Sequence, residues 1–590
     1  MIFKQTLVFT IKQIVWLFFI AIINNTIVHA NDDLIKKMND PANWASWGGN
    51  YQGTRYSELD QINADNVHQL VPVWNFPTGL KGNYQGSPLV IDGVIYFHTP
   101  NSDQLYAVNL SDQTVKWKAD YPLKKIIRSG VKNSNSIETD LTNHGLAYAE
   151  GKIFWHRLGG GLEARDAHTG ELIWTAQNGS LDEGVAGGTP PLVVGDKVIV
   201  GMADIEVDKQ GNGVRGYIST YNINKGNLLW RGYSMGTDND TLINPEKTQT
   251  WNNRTMQAVG KSKEATYDIP KKNKERGGVP SGWISYDPEL NLIYYGTTSK
   301  KPQYSMLAPY KNGLVIAEHF QMVIEGTDRG ISSLWARDAD TGEVKWLYQM
   351  TPNNQWGYDG INESILIEQN IAGMPRKTLV HFDKNGFVYT LDRETGALLK
   401  ADKFDQFVNW AYEINHRTGQ PKRNHHKELV DQIKRYKKGI ISEICPSFHG
   451  GKPLQPAAYS AKNNLFFMAG SRKCMAIEPG KVQDKYNNSI SFLDVYIFST
   501  DHHSSCAENC KGNDAGVLQA WDPNTQRQQW QIIEPYELRT GVLVTQGDVV
   551  FYATLDGYFK AVHAKTGERL YTRDHSICKK SLHLFEMRSV

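Results

Sequence analysis

The chain carries the stretch Ala164-Arg165-Asp166-Ala167-His168-Thr169-Gly170, and Trp174 follows four residues after the glycine. The same order of a small residue, Asp or Asn, Thr-Gly or a relative, and a closing aromatic residue returns along the sequence. Seven copies can be recognised, and they begin at Ala107, Ala164, Thr220, Ala336, Thr390, Ala520 and Ala561. Neighbouring copies are 41 to 57 residues apart, or about twice that distance where a variant unit intervenes. Repeats of this length, each built mostly from strands, are typical of a β-propeller.

Each part of the pattern has a structural role. The Asp or Asn side chain can accept hydrogen bonds from backbone N–H groups of the turn that follows, and the glycine accepts a positive φ. The closing residue is Trp in the stronger copies, and its large flat ring can insert between neighbouring blades. Weaker copies close on Lys400 and Tyr571. We therefore assign no catalytic role to the pattern.

Short runs rich in Val, Ile, Tyr and Phe predict pairs of strands, as in residues 88–97, 191–200 and 541–552. Two variant units, residues 285–296 and 458–470, resemble each other and fill the wide gaps between copies. Counted with the seven copies and allowing for shared blades, they predict an all-β propeller of seven or eight blades with tryptophan-docking repeats over residues 31–571. Residues 572–590 lack strand alternation and are predicted to be a divergent tail that leaves the last blade incomplete.

The composition excludes several classes of function. The chain has 590 residues, 40% of them hydrophobic, with 16 Trp and 28 Tyr, which is ample for a large core. Its formal net charge is only +2, so neither a nucleic-acid surface nor a polybasic membrane patch is indicated.

The first 30 residues read as a signal peptide. Lys4 and Lys12 lie in front of or beside an apolar run at residues 14–23, and Val28-His29-Ala30 resembles a small-x-small cleavage site. A membrane anchor is the alternative, but the run is short for crossing a bilayer. We expect export to the periplasm, a mature chain that begins near Asn31, and no integral membrane segment.

All five cysteines lie in the last quarter of the sequence: Cys445, Cys474, Cys506, Cys510 and Cys578. Export permits disulfides, and four cysteines can pair in three ways that sequence alone does not distinguish. The arrangement His502-His503-x-x-Cys506-x3-Cys510 could hold a metal, and a loop disulfide is the alternative.

The chain also resembles a known family, the pyrroloquinoline quinone (PQQ) dependent methanol and ethanol dehydrogenases, over roughly residues 40–571. Members of this family are secreted eight-bladed propellers, so the resemblance implies an eight-bladed β-propeller. Seven stretches carry the resemblance: residues 47–57 (Trp-Gly-Gly-Asn-Tyr-Gln-Gly-Thr-Arg-Tyr-Ser), 145–148, 213–217, 383–392, 444–447, 455–459 and 550–561. Taken together, these motifs are far more specific than the repeat.

The resemblance implies an activity and its cofactors. The family oxidises a primary alcohol with PQQ and a Ca²⁺ or lanthanide ion, and passes the electrons to a periplasmic cytochrome c. It also implies a disulfide between Cys445 and Cys474. We expect a small alcohol or aldehyde as substrate and a homodimer as the assembly.

The cofactor positions of the family are only partly kept in this chain. The Trp on which PQQ stacks in the family falls at Ser281, and Trp283 matches the next family aromatic residue. A vicinal disulfide of the family falls at Glu138 and Thr139. An Arg that contacts the PQQ carboxylates falls at His144, which is mostly neutral at pH 7 and has no bidentate fork. Lys384 matches the basic residue beside the quinone carbonyls, so we predict Lys384, Trp283, His144 and Ser281 as the cofactor-binding residues.

The metal and base positions are also altered. The family Asn ligand falls at Ser299, and the family Glu ligand falls at Gly211, so Asp204, Glu206 or Asp208 would have to replace it. The family base position is Gly357, and Asp359 matches the extra carboxylate of lanthanide-type members. We predict Asp359, Glu206 and Ser299 as the metal ligands and Asp359 as the catalytic base.

Three hypotheses follow from these departures. The chain is a PQQ-dependent dehydrogenase with an altered site, a non-catalytic propeller of the same ancestry that binds or scaffolds, or a degraded reading frame whose product folds poorly. Loss of a general base typically costs about 10²- to 10⁴-fold in rate, so we expect ordinary alcohol oxidation to be weak or absent.

Overall fold

The computed structural model describes residues 30–80, 84–99, 104–121, 143–204, 214–261, 277–299, 329–352, 354, 356–428, 441–483, 489–499, 515–574 and 587–588. Several predictions lie outside these residues: the signal peptide up to residue 29, Glu138, Thr139, Glu206, Asp208, the His502–Cys510 arrangement, Cys578 and most of the tail.

Seven sheets, each with four antiparallel strands at its centre, form the blades, numbered here in chain order. The sheet of blade 4 is extended to six strands and the sheet of blade 7 to five. Blade 1 contains Leu89–Ile91, Val94–His98, Gln104–Asn109 and Val115–Asp120. Blade 2 contains Ala147–Ala149, Lys152–His156, Gly161–Asp166 and Leu172–Gln177. Blade 3 contains Leu192–Val194, Lys197–Val200, Tyr217–Asn222 and Leu228–Tyr233. Blade 4 contains Ile284–Asp287, Leu292–Gly296, Ser333–Asp338 and Val344–Gln349.

The remaining three blades follow the same order. Blade 5 contains Ser364–Ile371, Met374–Phe382, Phe387–Asp392 and Leu398–Lys403. Blade 6 contains Ala458–Ser460, Leu465–Ser471, Gly516–Asp522 and Arg527–Glu534. Blade 7 contains Leu543–Thr545, Val549–Ala553, Tyr558–His563 and Arg569–Asp574.

The all-β propeller is confirmed, but the predicted eight blades are wrong: the described residues form seven. Each of the seven copies of the repeat lies on the third strand of one blade and runs into the fourth. The variant units at 285–296 and 458–470 are not extra blades, because they supply the first two strands of blades 4 and 6. The wide gaps between copies arise from insertions within and between blades, which repeat spacing alone cannot distinguish from a missing copy.

The prediction for the turn between the third and fourth strands is confirmed. In blade 2 the Asp166 carboxylate accepts hydrogen bonds from the N–H groups of His168 and Thr169 at 2.9 and 2.8 Å. Gly170 then adopts a φ of +77°, which a side chain would resist. Asp338 and Gly342 repeat this geometry in blade 4, where φ of Gly342 is +74°.

The same hydrogen bond, from the side chain that ends the repeat, joins one blade to the next around the propeller. The closing Trp of a blade donates its indole N–H to a backbone carbonyl at the corresponding turn of the next blade, at 2.9–3.2 Å. The pairs are Trp117 to Ala167, Trp174 to Ile223, Trp230 to Ala339, Trp346 to Arg393 and Trp530 to Ala564. Lys400 takes the same place in blade 5 and donates to the carbonyls of Pro523 and Asn524 in blade 6. The blades are therefore joined in chain order.

The two ends of the chain meet beside blade 7. Tyr56–Ser57 pairs in parallel with Leu543–Thr545, and the Tyr571 hydroxyl donates to the Leu70 carbonyl at 2.9 Å. Val71–Pro72 pairs with Met587–Arg588 in a separate two-stranded sheet. Residues 56–72 and the last described strands thus lie together at blade 7, whereas Asn31 contacts Glu150 and Gly195 of blades 2 and 3.

Short helices, 3₁₀ turns and additional strands lie outside the four-stranded blades. The helices are Asp32–Met38 and Asp238–Thr241, and the 3₁₀ turns are Val67–Gln69, Leu181–Glu183 and His425–Lys427. The additional strands are Val185–Ala186, Ala203–Asp204, Gln249–Asn252, Thr255–Ala258, Ala411–Asn415, Gln420–Arg423, Ile441–Ile444, Lys473–Gln483 and Ser489–Ser499. Cys445 and Cys474 form a disulfide, as the family resemblance implied. Among the described helices, none has the length and apolar character needed to cross a bilayer.

Candidate active site

Three of the predicted site residues come together at strand ends of blades 4 and 5. Ser299 lies three residues after the strand Leu292–Gly296 of blade 4. Asp359 lies on the segment that leads into the first strand of blade 5, and Lys384 lies in the turn before the strand Phe387–Asp392.

The Asp359 carboxylate is bound by both neighbours. Its Oδ1 accepts hydrogen bonds from the backbone N–H and the hydroxyl of Ser299 at 2.7 and 2.8 Å. Its Oδ2 accepts a hydrogen bond from the Lys384 ammonium at 2.8 Å, which is also an ion pair. The side chains of Asp359 and Lys384 are only 20% and 17% exposed. Both carboxylate oxygens therefore already have charged or polar donors.

These contacts set the protonation state of Asp359. Burial by itself raises the pKa of this carboxyl group, but the Lys384 ammonium and the Ser299 hydrogen bonds outweigh burial and leave the pKa below its usual value. Asp359 is consequently an ion at neutral pH. It is also a weaker base than an ordinary carboxylate, because its charged form is stabilised.

Gly357, the position to which the family resemblance assigns the base, has an unusual backbone. Gly357 has a φ of +78°, in the left-handed region. A Cβ built at this position would meet only the Cβ of Phe448, at 3.6 Å. There is room for a side chain here, but the backbone conformation favours glycine.

The residues around Asp359 do not fit a Ca²⁺ or lanthanide ion. Such ions take about six to eight oxygen ligands, several of them carboxylates. Within the part of the chain that the structure describes, no three His, Cys, Asp or Glu side chains converge in a way that could hold a metal. Among the described residues the donor set consists of Asp359 and Ser299, and the Lys384 ammonium is already paired with the carboxylate. Asp204, the described alternative ligand, lies in the short strand Ala203–Asp204 paired with Val185–Ala186.

Two other predicted residues, His144 and Trp283, meet at a separate cavity of about 370 Å³. Their ring centroids are 5.4 Å apart. The Trp283 ring packs against Trp47 with centroids 4.8 Å apart, and its N–H donates to the Leu454 carbonyl at 2.9 Å. Ser281, two residues away, is not among the residues that line this cavity, so the structure does not bring it together with His144.

His144 is buried and neutral. Burial, together with the smaller effect of the neighbouring His98, lowers its pKa to about 4. Nδ1 of His144 is buried without a hydrogen-bond partner among the described residues. A buried imidazole of this kind can serve a ligand in the cavity as a hydrogen-bonding group and not as a fixed cation.

The segment at residues 450–456 links the cavity to the Asp359 ion pair. The Gly451 N–H donates to the Lys384 carbonyl at 2.9 Å, and the Leu454 carbonyl accepts from Trp283. Three residues of extended chain span no more than about 11 Å, so the ion pair and the cavity are neighbours.

Sequence reasoning missed two cationic residues of the cavity, Arg55 and Arg539. Arg55 stands inside a motif that carries the family resemblance, but nothing in that motif assigns it to a site. Arg539 lies between blades 6 and 7 and has no local signal at all. The pairing of Tyr56–Ser57 with the first strand of blade 7 brings these two residues to one cavity.

Known proteins resemble this chain along most of its length. The family model described as "Glucose/ethanol/alcohol dehydrogenase, beta-propeller domain", which carries the name PQQ, matches residues 44–401. The lanthanide-dependent methanol dehydrogenase of Methylacidiphilum fumariolicum is 36% identical over 551 residues, covering 92% of this chain and 82% of that protein. "Methanol dehydrogenase [cytochrome c] subunit 1" of Methylorubrum extorquens is 34% identical over 555 residues, covering 92% and 82%.

Solved structures agree with these matches. A europium-containing methanol dehydrogenase superposes with a TM-score of 0.76 at 34% identity, covering 92% of this chain and 87% of that one.

Proposed function

Because this chain belongs to the family of PQQ-dependent alcohol dehydrogenases with a β-propeller domain, we propose that it is an exported quinoprotein of this type whose oxidation of primary alcohols is weak or lost. The family cofactors are PQQ and a Ca²⁺ or lanthanide ion. When bound, PQQ accepts the two electrons that the alcohol gives up.

One observation carries the proposal. The Asp359 carboxylate accepts hydrogen bonds from both Ser299 and Lys384, while the family base position is Gly357. A carboxylate that accepts three hydrogen bonds, one of them from the paired Lys384 ammonium, has a lowered pKa, so it takes a proton from an alcohol poorly.

Export and the electron acceptor belong to the same proposal. The N-terminal segment has the charge and apolar pattern of a signal peptide. A cytochrome c as electron acceptor is supported by the name of the Methylorubrum extorquens relative, a methanol dehydrogenase [cytochrome c] subunit. The predicted homodimer stays a prediction.

A second function, a propeller that binds without catalysis, is favoured by the donor set at Asp359. A cation that polarises the quinone needs several oxygen ligands, and the described residues offer one carboxylate that is already paired. We place this reading second because the cavity beside the ion pair still carries Trp283 and His144.

The deciding experiment combines cofactor binding with turnover. The purified protein is titrated with PQQ in the presence of Ca²⁺ or La³⁺, and dye-linked oxidation of methanol and ethanol is then measured. We expect PQQ binding and a rate at least about 100-fold below the roughly 10 s⁻¹ of a typical enzyme.

Asp359→Asn should abolish the residual rate, and the exposed Asp112→Asn should leave it unchanged. A rate near 10 s⁻¹, or a residual rate that Asp359→Asn does not alter, would contradict the proposal. If a well-folded protein fails to bind PQQ, the dehydrogenase function is excluded and the non-catalytic binding propeller remains.

A further inference from the structure

The cavity beside Trp283 contains two arginines and, among its described lining residues, no carboxylate. Such an excess of positive charge in a confined space attracts anions and repels cations. The cavity volume of about 370 Å³ lies within the range of small-molecule sites.

Arg55 is held rigidly with part of its guanidinium unused. Its Nε donates to the Val542 carbonyl at 2.8 Å and its Nη1 to the Trp47 carbonyl at 3.0 Å. Among the described residues, Nη2 has no hydrogen-bond partner and no carboxylate lies within 4 Å of the group. Burial lowers the pKa of Arg55 to about 10, which Glu363 only partly offsets. An arginine fixed by two carbonyls, with a free donor at a cavity wall, is prepared to bind an anion.

Arg539 brings a second positive charge to the same wall. Its Nη2 pairs with Glu537 at 2.7 Å. Glu537 is also within 3.3 Å of the Lys473 ammonium, so this group of three keeps one net positive charge. Arg539 is 45% exposed, which leaves its remaining donors available to a ligand.

The rest of the wall suits a flat ring. Trp283 supplies an aromatic surface, and His144 supplies a buried imidazole whose Nδ1 is unpartnered among the described residues. Nε2 of His98, which lies against Gly86 of the wall, is likewise buried and unpartnered there.

We propose that Arg55 and Arg539 bind the carboxylates of a flat aromatic polycarboxylate anion in this cavity, with its ring against Trp283. The choice of PQQ as that anion rests on the proposed function. Arg55 supplies the rigid contact and Arg539 the adaptable one at the more exposed side.

The test compares a carboxylate ligand with its neutral counterpart. PQQ, its trimethyl ester and quinoline-2,4-dicarboxylate are titrated into the purified protein, and tryptophan fluorescence and calorimetry report binding. We expect PQQ to bind at least about 10-fold more tightly than the ester, because charge-assisted hydrogen bonds exist only with the acid.

Three variants separate the role of the charge from a structural role. Arg539→Gln and Arg55→Lys should each reduce the acid-to-ester affinity ratio about 5- to 10-fold. Arg527→Gln, on an exposed position of the fourth strand of blade 6, should leave the ratio unchanged. A variant that only disturbs folding weakens acid and ester alike, so the ratio stays informative, and thermal melting of each variant confirms that it is folded.

The outcomes distinguish this inference from the proposed function. If PQQ binds but neither arginine variant changes the ratio, the inference is wrong and the proposed function stands. If quinoline-2,4-dicarboxylate binds through the arginines and PQQ does not bind, the inference stands and the proposed function is wrong. If a folded protein binds neither acid, both are wrong.

Discussion

The Lys384 ammonium lies 2.8 Å from Oδ2 of Asp359, and both side chains are about four-fifths buried. Lys384 thus supplies positive charge to the carboxylate that the family resemblance assigns to a metal. The consequence is an internal ion pair that needs no bound cation to neutralise it. Four predictions follow from this pair and its surroundings.

Asp359→Asn should lower the free energy of unfolding by about 2 kcal/mol, between the values for exposed and fully buried ion pairs. The substitution leaves the Lys384 ammonium without its counter-ion in a poorly solvated place. Urea unfolding at pH 7 measures the change. Glu413→Gln removes an exposed partner of Lys422, 63% exposed, and should cost less than about 0.5 kcal/mol. Equal losses in the two variants would mean that the Asp359 pair contributes no more than a surface pair.

Cations should not stabilise the protein. A ligand that binds only the folded state at 100 times its Kd adds about 2.7 kcal/mol, which would raise Tm by several degrees. Because the described donors at Asp359 do not fit a cation, we expect Tm to agree within about 1 °C in EDTA, in Ca²⁺ and in La³⁺. Differential scanning calorimetry provides the comparison. A rise of several degrees with La³⁺ that disappears in Asp359→Asn would show that a metal site exists.

Gly357→Asp, which returns a carboxylate to the family base position, should destabilise the protein by about 1 kcal/mol. The reason is the φ of +78°, since the site has open space apart from Phe448. Gly373 is a matched control, because its φ is +83° and no atom lies within 4 Å of a Cβ built there. The two variants should therefore lose similar stability in urea. A much larger loss at Gly357 would point to charge or crowding beside Asp359 instead of backbone strain.

Glu537 should make stability depend on pH in the acid range. Burial raises the pKa of this carboxyl group, but His449, Arg539 and Lys473 outweigh burial and lower the pKa to about 2 from a model-peptide value of 4.5. The ionised form is therefore preferred in the folded state. Its contribution is complete above pH 4.5, falls between pH 4.5 and about 2, and amounts to roughly 3 kcal/mol at neutral pH.

Urea unfolding of the wild type and of Glu537→Gln at several pH values tests this dependence. The difference in unfolding free energy should be largest at pH 7 and should shrink toward zero as the pH approaches 2. The exposed Glu413→Gln serves as the reference, for which we expect little change with pH. A difference between wild type and Glu537→Gln that is the same at pH 7 and pH 3 would exclude Glu537 as the titrating group.

Local chemistry explains why the blade pattern could be recognised from the sequence. Asp166 and Gly170 act within a single turn, so their roles follow from residue type and spacing alone. The strands next to this turn follow from alternating and β-branched residues. The number of blades was not predictable in this way, because an insertion inside a blade lengthens the repeat spacing just as a variant blade does.

The candidate site was predicted in part, and for a different reason. Ser299, Asp359 and Lys384 were assigned by resemblance, and they do meet. The resemblance did not predict that Lys384 pairs with the carboxylate, since that contact joins residues 25 positions apart in two different turns. Arg55 and Arg539 were not predicted at all.

The sequence by itself determined the repeating blade and the turn between its third and fourth strands. These features depend on residues close together in the chain, where backbone geometry leaves few alternatives. Only the tertiary structure decided the blade count, the ion pair of Asp359 with Lys384, and the meeting of Arg55 with Arg539. Each of these depends on contacts between separate turns or segments, 25 residues apart for the ion pair and several hundred for the two arginines, which only the packing of whole blades brings together.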